Sequence, residues 1–171
     1  MKLSTRKMTL AGLFAALSCV MTMVIQIPSP TGYVNLGECM VLLGALVLGP
    51  VYGAFAGAIG SALADILLSY AVYAPGTFVI KGGVALIAAL LSGLALRKSG
   101  KQNFVMIVIS CVVAEIWMAL GYFVYESVIL GYGMPAVQSI PGNLMQGLVG
   151  IVLATALYRL LAKTPLFRKE M

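Results

Sequence analysis

The sequence predicts an all-α integral membrane protein with six transmembrane helices in a single membrane domain, residues 1–171. Of its 171 residues, 61% are hydrophobic and only 9% are charged. A chain of this size exposes a large share of its surface when folded, so it cannot hide this much apolar area from water. Nearly all the basic residues also lie in three short clusters between long apolar segments, a pattern typical of membrane helices joined by loops.

The first predicted helix covers residues 5–25, close to the roughly 20 apolar residues that a bilayer-spanning helix needs. Its basic start resembles a signal peptide, but the apolar run is long and no small-residue cleavage site follows it. We therefore expect the helix to be retained. Residues 27–38 come next and contain prolines and glycines that interrupt helix, so we expect an outer loop that closes over a binding site as a lid.

The second predicted helix is short. It covers residues 39–48 and ends at Gly49 and Pro50, so it cannot span a bilayer alone. The remaining four helices are predicted at residues 51–70, 76–96, 103–130 and 136–161. The segments between them contain proline, glycine or basic residues, which are typical of helix ends.

The basic residues predict how the helices cross the membrane. The three clusters precede the first helix, follow the fourth and follow the sixth: Lys2, Arg6 and Lys7; Arg97, Lys98 and Lys101; and Arg159, Lys163, Arg168 and Lys169. With six crossings, all three clusters lie on one side of the membrane, and the loops on the other side contain no lysine or arginine. The positive-inside rule therefore predicts that both termini are cytoplasmic.

The composition excludes several classes of function. The net charge of +6 is explained by the loop clusters and does not indicate nucleic-acid binding. The chain has no histidine, and Cys19, Cys39 and Cys111 lack metal-binding spacing, so we predict no metal site and no cofactor. It has no GxxxxGK[ST] loop for hydrolysing ATP. Only carboxylate or lysine chemistry would remain for an enzyme, and we predict that the protein is not one.

Small residues mark helix-packing faces. They recur every four positions from Gly53 to Asp65 in the third helix, and the first helix carries Ala11 and Ala15 at the same spacing. Small residues let two helix backbones approach closely in lipid. Such a face packs either against another helix of this chain or against another membrane protein.

Ionisable side chains inside apolar segments are costly, so they usually pair or line a polar cavity. Asp65 and Lys81 lie at similar depth on either side of the turn between the third and fourth helices. We predict that they form a structural ion pair, with a contact from Lys81 or Asp65 to a polar ligand as the alternative.

The fifth and sixth helices carry a second polar group. Steps of seven and four residues place Glu115, Tyr122 and Glu126 on one face of the fifth helix. Asn143 and Gln146 lie on one face of the sixth helix and serve either a ligand or interhelical hydrogen bonds. With two residues from the loop, the candidate substrate-binding residues are Asn35, Glu38, Lys81, Glu115, Tyr122, Glu126, Asn143 and Gln146.

Three stretches of the sequence resemble the substrate-binding (S) component of energy-coupling factor (ECF) vitamin transporters, within the riboflavin-type group that includes proposed hydroxymethylpyrimidine and pyridoxine carriers. They are VNLGECMVLLGALVLGPVYGAFAGAIGSALADILLSYAVYAPGTFVIKGGVALIAALLSG, AEIWMALGYFVYE and IPGNLMQG. The resemblance covers about residues 8–160.

The resemblance implies six helices in a bacterial plasma membrane and high-affinity binding of a vitamin from outside. It also implies a transmembrane (T) partner subunit and two ATPase (A) subunits, which accounts for the missing ATP-binding loop. Ala11 and Ala15 match the alanine motif with which the first helix of this family docks on its partner. The S component of the family is thought to topple in the membrane to release its cargo.

The carboxylates of the fifth helix suit an aminopyrimidine or pyridine ring, which can donate hydrogen bonds to them. We therefore predict hydroxymethylpyrimidine or a vitamin B6 compound (pyridoxine, pyridoxal or pyridoxamine) as cargo, and riboflavin as the second choice. The alternative of another class is a self-sufficient proton-coupled carrier with Glu115 or Asp65 as a relay. Against it, the sequence shows no internal repeat.

Overall fold

The computed structural model describes residues 5–29, 32–99 and 103–164, and these residues contain six α-helices and one β-hairpin. In chain order the elements are α1 (Thr5–Val24), β1 (Gln26–Ser29), β2 (Gly32–Asn35), α2 (Gly37–Leu48), α3 (Pro50–Leu67), α4 (Ala74–Ser99), α5 (Phe104–Val124) and α6 (Ser139–Leu161). The predicted all-α class is confirmed. Of the basic clusters, Lys2, Lys101, Arg168 and Lys169 lie outside the described residues.

Five helical segments are long and apolar enough to cross a membrane. They are Thr5–Val24, Pro50–Leu67, Ala74–Leu96, Phe104–Ile129 and Met134–Leu161. The remaining helix of the described residues, α2, is apolar but has only 12 residues. At 1.5 Å per residue it is roughly 18 Å long, shorter than the hydrocarbon core of a bilayer.

The short helix α2 lies at the centre of the bundle. Ten of its 12 residues are buried, and it packs against α1, α3, α4 and α6. Leu42 of α2 is fully buried in a core that includes Val84 of α4 and Met118 of α5. The approach of α3 requires Gly53, because a Cβ atom at that position would lie 2.7 Å from the Cα atom of Ala45.

The predicted lid loop differs from the structure in two ways. It contains the antiparallel hairpin β1–β2, in which Gln26 pairs with Asn35 and Ser29 pairs with Gly32. In addition, α2 begins at Gly37, so Glu38 belongs to the first helical turn and is buried in the bundle rather than exposed in a loop. The helix thus begins two residues earlier than predicted. Its first turn is stabilised inside the bundle, where Glu38 contacts Lys81 and Gln146.

The connection between α5 and α6 bends sharply. After Val124 the chain forms a π-helical turn, Tyr125–Ile129, and then a 3₁₀ turn, Met134–Gln138. Between them the chain reverses direction at Gly131 and Gly133, whose φ angles of 75° and 62° favour glycine. The π-helical turn keeps Glu126 buried at the end of the bundle.

The hairpin, the α3–α4 turn and the α5–α6 connection come together at one end of the bundle. The hydroxyl of Tyr125 donates to the carbonyl oxygen of Val72 over 2.8 Å, which joins two of these connections. The opposite end carries Lys7 of α1 and Arg159 of α6, and the guanidinium of Arg159 lies 3.4 Å from the ring centroid of Phe104. Lys7 and Arg159 therefore lie at the end of the protein opposite the hairpin.

Candidate functional site

A small polar cavity lies at the hairpin end of the bundle. Its volume is about 50 Å³, well below the roughly 300–1,000 Å³ of typical ligand pockets. Most of the residues that line it carry a hydroxyl, amide or charged group: Thr22, Tyr33, Val34, Asn35, Ser61, Asp65, Tyr70, Tyr73, Thr77, Lys81, Tyr122, Glu126, Ser139, Gly142, Asn143 and Gln146. Such a concentration of polar groups inside an apolar bundle makes this cavity the candidate ligand site.

The hairpin closes over the cavity through Tyr33. Its hydroxyl donates a hydrogen bond of 2.6 Å to Oδ1 of Asp65 on α3. Its ring contacts Tyr70 edge-on at a centroid distance of 5.1 Å, and Tyr70 in turn contacts Tyr73 at 6.2 Å. Burial raises the pKa of the Tyr33 phenol, and the hydrogen bond to Asp65 raises it further, so Tyr33 remains a donor at neutral pH.

Asn35 anchors the base of the hairpin to α2 and α6. Its backbone N–H donates to Oε1 of Gln146 over 2.8 Å. Its side-chain oxygen accepts from the backbone N–H of Gly37 at 2.9 Å and from the hydroxyl of Thr22 at 3.2 Å. Gln146 in turn contacts the core, where its Nε2 donates a hydrogen bond of 3.2 Å to Oε2 of Glu38. A chain of hydrogen bonds thus leads from the hairpin into the protein core.

Lys81 forms a buried ion pair with Glu38, and the predicted ion pair with Asp65 is absent. The prediction placed Asp65 and Lys81 at equal depth on neighbouring helices but left Glu38 in the loop. In the structure the first turn of α2 brings Glu38 beside α4, where it pairs with Lys81. Asp65 instead accepts a hydrogen bond from the hydroxyl of Tyr33. Both Asp65 and Lys81 still line the cavity.

The wall formed by α4, α5 and α6 carries further predicted residues. The hydroxyls of Tyr122 and Thr77 lie 3.0 Å apart, and the ammonium of Lys81 lies 5.6 Å from the Tyr122 ring centroid. Glu126 is 3% exposed, and Asn143 is half-buried. Of the eight candidate residues, six line the cavity: Asn35, Lys81, Tyr122, Glu126, Asn143 and Gln146.

The other two candidates, Glu38 and Glu115, do not line the cavity. They lie below it in the core, where they are 1% and 4% exposed. Glu115 shares a helix face with Tyr122, as predicted, but sits nearly two turns farther along α5 toward its N-terminal end. There it packs against Gly147 of α6, and it is the neighbour of Glu38 rather than of the cavity.

Several lining residues were not among the predicted binding residues. Tyr70, Tyr73 and Thr77 belong to the turn and first helical turn between α3 and α4. Two tyrosines beside a turn are compatible with a membrane interface as well as with a binding site, so the sequence carried no decisive signal for them. Among the described residues, no group of three or more His, Cys, Asp or Glu side chains could hold a metal ion.

The predicted docking alanines lie partly inside the bundle. Ala11 and Ala15 are half-buried and pack against the hydrophobic core, and Gly60 of α3 lies directly against the backbone of Ala15. One position farther along the chain, Gly12 and Ala16 are exposed. The small residues of α1 therefore serve internal packing on one side and continue onto the outer surface of the helix.

Comparison with known proteins gives consistent matches. Residues 2–163 match the family model of the S component of ECF-type riboflavin transporters. An uncharacterized protein from Pyrococcus woesei, encoded in the 3′ region of gap, is 37% identical over 146 residues, which are 84% of this chain and 93% of that protein.

Two solved structures have a similar fold. The S component of a bacterial ECF transporter has a TM-score of 0.71 at 23% identity, covering 92% of this chain and 95% of the other. The S component for biotin from an ECF-type ABC transporter has a TM-score of 0.63 at 17% identity, covering 99% of both chains.

Proposed function

The chain belongs to the family of S components of ECF-type riboflavin transporters, and we propose that it is the high-affinity binding subunit of an ATP-driven importer for hydroxymethylpyrimidine or a vitamin B6 compound. Riboflavin is the second choice of cargo. The protein works in the cell membrane with both termini cytoplasmic. It acts without enzymatic activity of its own, together with a T subunit and two A subunits that hydrolyse ATP.

The charge of the cavity carries the choice of cargo. Asp65 and Glu126 both line it, whereas its single cation, Lys81, is already bound by Glu38. A ligand that enters therefore meets acceptor groups, and a ring with amino, ring N–H or hydroxyl donors matches them. Aminopyrimidines and pyridines with hydroxymethyl groups carry such donors on a small ring.

The size of the cavity favours a small ring as well. A cavity of about 50 Å³ is too small for any vitamin unless the surrounding side chains move. A flavin, with three fused rings, would require a larger movement than a single pyrimidine or pyridine ring. We expect the hairpin to be the element that moves, because a small number of hydrogen bonds hold it to the helices, among them those from Tyr33 to Asp65 and from Asn35 to Gln146. Opening the hairpin would break these few contacts and leave the helices in place.

Isothermal titration calorimetry of the purified single chain tests this proposal directly. The panel contains hydroxymethylpyrimidine, pyridoxine, pyridoxal, pyridoxamine, riboflavin and biotin. Calorimetry is preferable to tryptophan fluorescence, because the only tryptophan, Trp117, is 42% exposed and donates to the carbonyl of Ile80 rather than lining the cavity. We expect tight binding of one pyrimidine or pyridine compound. Tight binding of riboflavin alone would replace the first choice by the second.

A self-sufficient proton-coupled carrier is the second candidate function, and the buried carboxyl group of Glu115 is the observation that favours it. Uptake into vesicles separates the two functions. The proposed S component accumulates no vitamin against a gradient when it is reconstituted alone without ATP. Accumulation that disappears when the proton gradient is collapsed would instead establish the carrier.

A further inference from the structure

A cluster of two carboxyl groups and one ammonium group lies below the cavity. Glu38, Lys81 and Glu115 come from α2, α4 and α5, and each is less than 5% exposed. Oε2 of Glu38 receives hydrogen bonds from Lys81 and Gln146. No hydrogen-bond donor among the described residues reaches Oε1 of Glu38 or either carboxyl oxygen of Glu115.

Glu38 and Glu115 are neighbours in the core, and both pack against the same helix, α6. The fold provides room for both side chains through two glycines of α6. A Cβ atom at Gly147 would lie 2.7 Å from Oε2 of Glu115, and one at Gly150 would lie 3.0 Å from the Cβ of Glu38. Two neighbouring ionised carboxylates repel each other, whereas a carboxylic acid donates to a carboxylate.

The charge balance leads to the same requirement. With both carboxyl groups ionised, the cluster would carry one net negative charge in the apolar interior of a membrane protein, which is strongly unfavourable. One bound proton or one monovalent cation removes the excess. At this cluster the described residues offer a metal ion only the three carboxyl oxygens of Glu38 and Glu115 that accept no hydrogen bond, and the surrounding backbone carbonyls are engaged in helices. A proton needs only one hydrogen bond between the two neighbouring carboxyl groups.

We propose that Glu115 is a proton-binding site, in which its neutral carboxylic acid donates a hydrogen bond to the Glu38 carboxylate. Lys81 and Gln146 donate hydrogen bonds to Oε2 of the same carboxylate. The proton is taken up from water when the chain folds, and it leaves the cluster neutral as a whole. The proton is bound below the proposed vitamin cavity, at a carboxyl group that does not line it.

The other groups around Glu115 leave this assignment unchanged. The remaining ionisable groups near the cluster are Cys111 and Tyr122 of α5, Cys39 of α2 and Asp65 of α3, and α6 presents only the uncharged Gln146 and the glycines. A carboxyl group such as that of Asp65 is neutral or negative, so it adds no positive charge. Thiol and phenol groups are neutral at pH 7 unless strongly perturbed, so neither supplies a compensating positive charge. Lys81 is thus the single cation of the cluster within the described residues.

The proton also supports the ligand site from below. Glu38 fixes the ammonium of Lys81 and the amide of Gln146, both of which line the cavity, and Gln146 accepts from the backbone of Asn35 in the hairpin. Loss of the proton would push the two carboxylates apart and disturb these contacts. The buried acid therefore acts as a positioning group for the floor of the cavity.

Infrared difference spectroscopy of the full-length protein in lipid vesicles tests the proposal. The chain has only five Asp and Glu residues, so the C=O stretch of a protonated carboxylic acid is resolvable at pH 7 and identifiable by its shift in D₂O. We expect the wild type to show this band and Glu115→Gln to lose it. Glu126→Gln is the matched control and retains the band. The spectra are recorded without vitamin, so the result is independent of the cargo.

Two further results would overturn the proposal. Absence of the band in the wild type excludes a neutral acid whatever the variants do, and saturable thermal stabilisation by Na⁺ in that case would assign a cation site instead. A band that persists unchanged in folded Glu115→Gln would place the acid elsewhere. Lys81→Met serves as the independent check if Glu115→Gln does not fold. Without the ammonium both carboxyl groups must be neutral, so the band grows about twofold.

Discussion

The hydroxyl of Tyr33 donates a 2.6 Å hydrogen bond to Oδ1 of Asp65 and so joins the hairpin to α3 across the mouth of the cavity. The two residues are 32 positions apart in the sequence, and their contact is one of the polar links that hold the hairpin down. At the base of the hairpin, Asn35 makes other described links, to Gln146, Thr22 and Gly37. We therefore expect the Tyr33–Asp65 bond to be the contact that a ligand breaks when it enters the cavity.

Removing this bond should make the hairpin open more readily. Tyr33→Phe deletes the donor while keeping the ring that packs on Tyr70. A hydrogen bond to a carboxylate contributes about 1.5–3 kcal/mol, so we expect the vitamin association and dissociation rates each to rise by about tenfold. Stopped-flow binding measures both rates. Tyr70→Phe is the control, because it removes a hydroxyl of the same cavity without breaking the bond to Asp65; equal effects of both variants would exclude the latch.

Two proposed binding residues, Glu126 in the π-helical turn after α5 and Asn143 in α6, can be tested by measuring vitamin affinity. We expect Glu126→Gln to weaken vitamin binding about 10–100-fold, because it removes a charged acceptor, and Asn143→Ala to weaken it about 2–10-fold, because it removes a neutral partner. Calorimetry measures both, with circular dichroism as the check on folding. Gln138→Ala removes an exposed amide just outside the cavity and should leave the affinity unchanged. Unchanged affinity in both Glu126→Gln and Asn143→Ala would move the site elsewhere.

The sequence predicts the parts of this architecture that depend on local pattern. Apolar segments and glycine- or proline-containing turns predict the helices, and helical spacing brings Tyr122, Glu126, Asn143 and Gln146 to one cavity. The partner of Lys81 depends instead on how α2 enters the bundle. Glu38 lies near the N-terminus of α2, which the sequence marks only weakly. The helix begins at Gly37 rather than at the predicted residue 39, and this shift of two residues places Glu38 in the core rather than in the loop.

The ion pair between Lys81 and Glu38 should be strongly stabilising only while both partners are present. Truncating one partner of a buried ion pair forces the other group either to stay buried without a compensating charge or to bind or release a proton, and the loss is about 3–5 kcal/mol. We therefore expect Lys81→Met and Glu38→Gln to lower the thermal unfolding midpoint markedly, and the double variant to recover most of the loss. Differential scanning fluorimetry in detergent measures all three. Additive losses in the double variant would show that the two side chains act independently.

If α1 docks on the partner subunits through Ala11 and Ala15, as the sequence predicts, changes there should affect assembly and vitamin binding separately. Ala11→Leu together with Ala15→Leu should abolish co-purification with the T and A subunits while vitamin binding is retained. Because Ala15 also packs near Gly60, retained binding is the necessary control for the fold. Ala156→Leu, an exposed alanine of α6, is the matched control for added bulk. Normal assembly of the double variant would exclude this face, and Gly12→Leu with Ala16→Leu would then test the exposed neighbours.

The glycines of α6 should be required for the buried carboxyl groups. A methyl group at position 147 would lie 2.7 Å from Oε2 of Glu115, so Gly147→Ala has to displace a buried side chain. Overpacking of this kind typically destabilises a protein by about 1–3 kcal/mol. We expect a lower thermal midpoint for Gly147→Ala and a partial recovery when it is combined with Glu115→Ala, which removes the displaced carboxyl group. Gly93→Ala is the matched control: a Cβ there meets no atom within 4 Å, so the midpoint should stay the same or rise slightly, since alanine favours helix. Equal effects at the two glycines would show that the loss comes from the backbone of the helices rather than from contact with Glu115.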